Sequence, residues 1–485
     1  MFAGVDATMF LAILPEIAIL VLGGLVLIFD LFLREKGRRL GWLAALGLLL
    51  IILLTLLFGR PGDEPTLVWG GMLRHDWLGF VFKLLFLLGA VITTLFAMDI
   101  EELGQRGEFY LLLLASTLGM SLMAAAADLI MLYLAIETTS IPLYVLAGFF
   151  KREDRSTEAG FKYLLFGAMT STVMLYGFSL LYGFAGTTSL YELPLRLAAN
   201  QVPLIAGLGV LTLVLVGFGF KVSVVPFHFW APDVYEGAPI PVAGFLSTAS
   251  KAAGFVVLLR VLLIVFPSGE TIPVWMPIIA ALSTVTMTLG NVMALVQRNI
   301  KRLLAYSSIA HAGYVLIGVS AVSVEMGVTS AVFYLITYLL TNLAAFGVVA
   351  TFWRVTGSDE IMAFSGLSRR SKWLALVVLV SFLSLAGVPP FAGFVAKVWV
   401  FAAAVDAGLI WLAIIGVINA IIGIYYYLLV LKVIYLYRSE DEEKALPITR
   451  PYTIALTALC VGIILMGTAF GPWFEWSMIA AKSLF

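Results

Sequence analysis

The sequence predicts an all-α polytopic membrane protein of about fourteen transmembrane helices. Three observations predict it. Of the 485 residues, 62% are hydrophobic and 12% charged, where soluble domains carry roughly half and a quarter. Apolar runs of about twenty residues recur from end to end, each long enough at roughly 1.5 Å per residue to cross a hydrocarbon core about 30 Å thick. Lys and Arg concentrate in alternate loops, as the positive-inside bias requires.

Hydropathy and punctuation place the helices at 10–33, 40–58, 78–98, 109–126, 128–150, 158–184, 203–226, 240–266, 274–296, 302–323, 328–353, 373–404, 408–437 and 452–476. The first run, Leu11 to Phe32, is too long for a signal-peptide core, follows no basic stretch and lacks a small-residue cleavage pattern, so it reads as retained. Helices 1–3 form an N-terminal unit, residues 1–104. Helices 4–8 (105–266) and 9–13 (267–437) make two successive five-helix units, and 438–485 supply a loop and the last helix. Five crossings is an odd number, so the second unit lies inverted relative to the first, and helices 7 and 12 correspond in position. Prolines break both: Pro226 in GFGFKVSVVPFHFWAPDVYEGAP, Pro389 and Pro390 in SLAGVPPFAGFVAKVWVF. Pro removes a backbone donor and frees a carbonyl one turn earlier. The mixed-charge loops 354–372 and 438–451 read as docking or solvated linkers.

With the N-terminus outside, the inner loops hold eighteen basic residues, from Arg34, Lys36, Arg38 and Arg39 onward, and the outer segments only Arg60, Arg74, Arg196 and Lys482. This split places both termini outside. One cysteine, Cys460, excludes an internal disulfide or a four-thiolate metal site, and three histidines leave little for haem or metal. There is no GxGxxG after a strand and no GxxxxGK[ST], so NADH or ATP chemistry belongs on other chains. A net charge of zero argues against nucleic acid.

Seven bases fall within the spans: Lys83, Lys162, Lys221, Lys251, Arg260, Lys397 and Lys432. Each costs about 2.5–3.5 kcal/mol at a helix centre. Lys83, Arg260 and Lys432 lie within about two turns of a helix end and read as snorkelling. Lys251 lies mid-span beside Ser247-Thr248-Ala249-Ser250, small residues that let helices approach. Lys221 precedes Pro226 and Lys397 follows Pro389 and Pro390, so each broken helix carries one lysine. Glu137 sits mid-span in helix 5, and a pair with Lys162 across the 5/6 hairpin fits its surroundings; a packing role for Glu137 with a snorkelling Lys162 is the alternative. His228 and His311, with Ser307, Ser308 and Tyr314, are candidates for a water chain. The run Tyr425 to Tyr427 reads as interface and core.

A desolvated amine titrates nearer neutrality and can both take and release a proton. The pattern therefore predicts a proton path along the midplane through Lys162, Lys221, Lys251 and Lys397, set off by Glu137. A cation/proton antiporter acting alone is a second reading, although a Na⁺ site prefers carboxylates and carbonyls. An inert scaffold is a third, and it leaves the buried lysines unexplained.

The stretches FKVSVVPFHFWAPDVYEGAPIPVAGFLSTASKAAGF, RNIKRLLAYSSIAHAGYVLIG and SLAGVPPFAGFVAKVWVF resemble the subunit N family of bacterial NADH-quinone oxidoreductase, respiratory complex I, over helices 4 to 13. The resemblance implies fourteen helices with an inverted pair of five-helix repeats and discontinuous helices 7 and 12. It also implies that Glu137 and Lys162 match an ion pair, Lys221 and Lys251 a central relay, Lys397 an exit-side lysine, and His228 and His311 histidines of the path. Related subunits M and L and the large subunits of multi-subunit Na⁺/H⁺ antiporters carry a loop nearer HTWLPDAHxEAP after helix 7, and subunit L continues into a lateral helix; both features favour N. Helices 1–3, usually lacking in the mitochondrial counterpart, point to a prokaryotic plasma membrane, with the photosynthetic complex of cyanobacteria and chloroplasts as the alternative. No cofactor is expected in this chain. NADH, FMN, iron–sulfur clusters and quinone are expected on partner subunits, and the partners are the other membrane subunits and the bilayer.

Overall fold

Among the residues that the computed structural model describes, 7–32, 38–266, 272–439 and 444–484, thirteen helices are long and apolar enough to cross a membrane. The fourteenth crossing is helix 12, whose halves Lys372–Ala386 and Ala392–Asp406 each fall short alone. The expected all-α architecture stands. Arg34 and Lys36 lie outside the described residues.

Helices 1–3 are Leu14–Phe32, Arg39–Phe58 and Trp77–Ala97. A two-stranded hairpin, β1 (Thr66–Val68) and β2 (Leu73–His75), links helices 2 and 3. Three-residue strands are too short to show as alternation in a sequence. The first repeat runs through helix 4 (Gly107–Ala125), helix 5 (Leu129–Ala147), helix 6 (Asp154–Ala185), helix 7 in halves 7a (Leu204–Val222) and 7b (Trp230–Gly237), and helix 8 (Ile240–Val265). The second runs through helix 9 (Ile272–Ala294), helix 10 (Ile300–Ser320), helix 11 (Glu325–Thr356), helix 12 in halves 12a and 12b, and helix 13 (Ile410–Leu436). Helices 8 and 10 are enclosed on all sides, and helices 3 and 11 nearly so.

The two repeats keep register to the residue. Asp128 caps helix 5 and bridges Ser189; Asn299 caps helix 10 and bridges Glu360. Helices 6 and 11 are both 32 residues long and end on left-handed Gly186 and Gly357, the backbone conformation that glycine tolerates best. Gly119 lies so close to Thr139 that a Cβ would strike backbone, and Gly290 meets Ala310 in the same way. All these positions are related by a shift of 171. At the breaks the shift becomes 164: Val224 N–H donates to Gly219 and Phe227 N–H to Val224, as Val388 does to Leu383 and Phe391 to Val388. Ser223 and Gly387 occupy the same left-handed position, and Pro226 matches Pro390.

Several sequence expectations are corrected. Neither Lys83 nor Arg260 snorkels. Lys83 Nζ lies 2.7 Å from Glu16 Oε1, which also accepts from the Ser121 hydroxyl at 2.6 Å. Arg260 grips Asp76 through two nitrogens at 2.8 and 3.1 Å and donates to Tyr191 and the carbonyl of Ala124. Both acids come from segments remote in sequence, so hydropathy around each base could not reveal them. Lys432 is exposed, as expected. Helix 14 (Arg450–Thr468) stops early, and a separate helix, Gly471–Lys482, follows with Pro in its first turn, where a missing N–H costs nothing. That last helix packs at the start of helix 3: the Ser483 hydroxyl accepts from Leu78 N–H, and the Ser483 carbonyl accepts from Arg74.

Arg260→Met alone leaves the buried Asp76 carboxylate to Arg74, 3.3 Å away, in place of its bidentate partner, and should cost about 3 kcal/mol. Adding Asp76→Asn, which keeps a cap for helix 3, should recover at least half of that loss. Thermal unfolding of the two variants in detergent measures the difference.

Candidate functional site

Each buried amine is delivered by a local irregularity. Lys221 is the penultimate residue of 7a, where Ser223 and Pro226 end the helix. Its ammonium donates to the Ser140 hydroxyl at 2.9 Å. Ser140 lies one turn beyond Glu137 on helix 5, and Glu137 accepts a hydrogen bond from Ser171 of helix 6. Glu137, Ser140, Ser171 and Lys221 line one cavity of about 20 Å³, room for a single water.

Lys251 follows a π-helical turn, Leu246–Ser250, inside the enclosed helix 8. The wider turn re-aims the next side chain. Its ammonium donates to the hydroxyl of Ser308 at 2.6 Å and to the carbonyl of the same residue at 3.1 Å, above the ring of Tyr235. The hydroxyls of Tyr235 and Tyr338 are buried without a protein hydrogen-bond partner among the described residues. His228 lies in the break of helix 7. Its Nδ1 is buried without a protein partner among the described residues, a place that suits water.

The second repeat continues the polar strip. His311 Nδ1 shares a 2.7 Å hydrogen bond with Tyr334, and its Nε2 lies 3.3 Å from the Tyr427 hydroxyl, which is also bonded to Ser307. Lys397 reaches back from 12b to the carbonyls of Leu385 and Ala386 at 2.9 and 3.0 Å. Those are carbonyls that the end of 12a leaves without intrahelical donors. The Tyr314 ring lies 5.1 Å from the ammonium.

Lys162 stands apart from this line. It pairs at 2.7 Å with Asp233 of 7b and at 2.7 Å with Glu158 one turn back. The expected Glu137 and Lys162 ion pair is therefore not formed. Ser171, which holds Glu137, lies nine residues further along helix 6, about 13.5 Å of rise, beyond the reach of a lysine. The hairpin makes helices 5 and 6 neighbours, as expected, but antiparallel neighbours meet only at matching depths.

Residues 126–423 match the family described as NADH:quinone oxidoreductase/Mrp antiporter, TM. The chain belongs to that family. Within the NADH:quinone oxidoreductase/Mrp antiporter family it is 42% identical over 455 residues to the NADH-quinone oxidoreductase subunit N of Heliobacterium modesticaldum, covering 93% of this chain and 94% of that one. A chain of respiratory complex I from Thermus thermophilus with bound aureothin superposes with a TM-score of 0.80 at 34% identity, over 95% of this chain and 98% of that one. A chain of the Mrp complex from Dietzia superposes at 0.87 with 21% identity, over 99% and 98%, a likeness of fold. The resemblance read from the three motifs is thereby borne out, and so are the repeated architecture and the two breaks.

On this family scaffold, several polar residues at the site escaped the sequence reading. Tyr427 joins Ser307 to His311, although its tyrosine run reads as plain core. Asn291 donates to Tyr314 at 3.0 Å and to Asn419 at 3.3 Å and accepts from Tyr426 at 3.1 Å. Asn291 is the one amide on helix 9, which has no charged side chain, and that is the signal the sequence offers. Arg302 counts in the sequence only as one of the inner-loop bases, and Asp233 and Glu236 carry no signal there, because charges beside a loop are ordinary. Asn291→Leu should strand two buried tyrosine hydroxyls and Asn419, at about 2–3 kcal/mol. The check is a fall in Tm with helix content unchanged by circular dichroism.

Proposed function

We propose that this chain is the proton-translocating subunit N of an NADH-quinone oxidoreductase, and that Lys221, Lys251 and Lys397, with Glu137, His228 and His311, form its proton path. The observation that carries the reading is Lys251. Its ammonium sits in an enclosed helix and is hydrogen-bonded to neutral oxygens of Ser308, with no carboxylate in a salt bridge to it among the described residues. Lys397 is held the same way. Charges so placed act on one another strongly, because the surroundings screen them little. A proton arriving near Lys221 disfavours a second on Lys251 and pushes it toward His311 and Lys397. The Ser140, Ser308 and Tyr427 hydroxyls and bound water supply hydrogen-bonded steps between them.

Glu137 sets the balance at the start of the path, since it shares a cavity with Lys221. The near-full-length relatives named subunit N support this reading over an antiporter subunit, for which the likeness is one of fold. NADH, flavin, iron–sulfur clusters and quinone are then bound by partner subunits. The membrane is the prokaryotic plasma membrane, with the basic loops inside and both termini outside. Exposed apolar side chains on helices 5 and 6, such as Leu134, Ile141, Phe161 and Leu165, face lipid or a neighbouring membrane subunit.

The test is NADH-driven proton pumping with quinone reduction recorded in parallel, in membranes carrying Lys251→Ala or Lys221→Ala. Each should lose at least tenfold of its pumping while the complex still assembles. Tyr427→Phe, which strands Ser307 and one nitrogen of His311, should lose severalfold. Unchanged pumping in both lysine variants would refute the path.

A further inference from the structure

A second charged site lies outside the line of amines, on the face where Lys151 to Arg155 turn the 5/6 hairpin. It is a cavity of about 200 Å³ lined by Arg155, Glu158, Lys162, Asp233, Glu236 and Arg302. That is room for several waters. Asp233 is about one-third exposed there, and its two oxygens are split between Lys162 at 2.7 Å and Arg302 at 2.8 Å. Arg302 also meets Glu236 at 2.7 Å. Asp233 and Glu236 are three residues apart and so share one face of 7b. Two residues from Asp233, on the other side of this short helix, Tyr235 lies beneath Lys251. Half-helix 7b therefore stands between this charged vestibule and Lys251. Ion pairs to helices 6 and 10 hold it in place.

The register of the repeats adds an independent observation. The shift of 164, set by the matching hydrogen bonds up to Phe227 and Phe391, carries Asp233 onto Lys397 when continued six residues into the half-helices. Lys221 maps onto Leu385, whose carbonyl receives Lys397. The two inverted half-helices thus place a titratable side chain at the same position, seven residues beyond the matching prolines Pro226 and Pro390, with opposite sign and toward opposite faces. Lys162 maps by the shift of 171 onto Phe333, so a lysine there is no part of the repeated pattern.

We propose that Asp233 is the proton entrance of this subunit, the inverted counterpart of Lys397, and that Lys162 is a positioning residue that latches it rather than a carrier. The proposal rests on the proton path above. The Asp233 carboxylate takes a proton from hydronium in the vestibule, forming an O–H bond and leaving water. The neutral acid no longer holds Lys162 by charge, so the tie of 7b to helix 6 through Lys162 loosens, while Glu236 keeps its pair with Arg302. The proton then passes to water on the Lys251 side of 7b, the O–H bond breaks, and the restored carboxylate closes the latch.

The experiment measures NADH-driven acidification of inverted vesicles with a pH-sensitive dye, and assembly by native electrophoresis. Asp233→Asn, Lys162→Ala and Lys162→Arg are compared beside Lys251→Ala. Asp233→Asn should lose at least tenfold of the pumping. Arginine holds a carboxylate but does not release its proton, so Lys162→Arg should recover most of what Lys162→Ala loses. If Lys162→Arg is as impaired as Lys162→Ala, Lys162 carries the proton and the assignment falls. If Asp233→Asn pumps normally while Lys251→Ala does not, the entrance lies elsewhere; if Lys251→Ala also pumps, the path itself is wrong. Asp233→Glu keeps a titratable group among Lys162, Arg302, Arg155, Glu158 and Glu236, and its pumping-versus-pH profile should be displaced. An unchanged profile overturns the proposal even where Asp233→Asn fails to assemble.

Discussion

An ammonium or a backbone carbonyl inside hydrocarbon must find its partner within the protein, since lipid offers none and an unsatisfied group costs several kcal/mol. The architecture around the amines answers that constraint. Helices 7 and 12 are broken at exposed prolines, Pro226, Pro389 and Pro390, and the break in helix 12 leaves carbonyls at Leu385 and Ala386 that the buried Lys397 takes up. One unsatisfied donor thus relieves two unsatisfied acceptors. Lys251 obtains the same result from Ser308, in a helix that neighbours enclose completely.

The buried charges fall into two kinds. Arg260 with Asp76 and Lys83 with Glu16 are salt-bridged at contact distance, and a charge so compensated stays where it is. They tie helix 3 to helices 1 and 8. The amines of Lys221, Lys251 and Lys397 are hydrogen-bonded to neutral oxygens instead. A weakly screened charge without a fixed counter-ion responds to each neighbour that gains or loses a proton. Lys162, with two carboxylates, belongs by geometry to the first kind.

Inversion lets one backbone design serve two faces. The same turn, with a left-handed residue followed three positions on by proline, interrupts both helices. Close glycine contacts keep helix pairs 4/5 and 9/10 in the same register. The side chains then differentiate the halves: Glu137 becomes Ser308, Lys221 becomes Leu385 and Asp233 becomes Lys397 under these shifts. A symmetric frame thus carries groups of different charge at its equivalent positions.

Hydropathy alone determined the class, the number of crossings and the two proline breaks, because each depends on local composition and on a ring that cannot donate a hydrogen bond. The buried lysines were legible for the same reason, a charge amid apolar neighbours being visible without any fold. Pairing was not. Whether Lys83, Arg260 and Lys162 meet water, a carboxylate or a hydroxyl depends on segments brought together from distant parts of the chain, such as Glu16 or Asp76. The depth at which two helices meet decided that Glu137 faces Ser171 and Lys221 rather than Lys162. Sequence records what each residue brings; only packing sets the few ångströms that make it a clamp or a carrier.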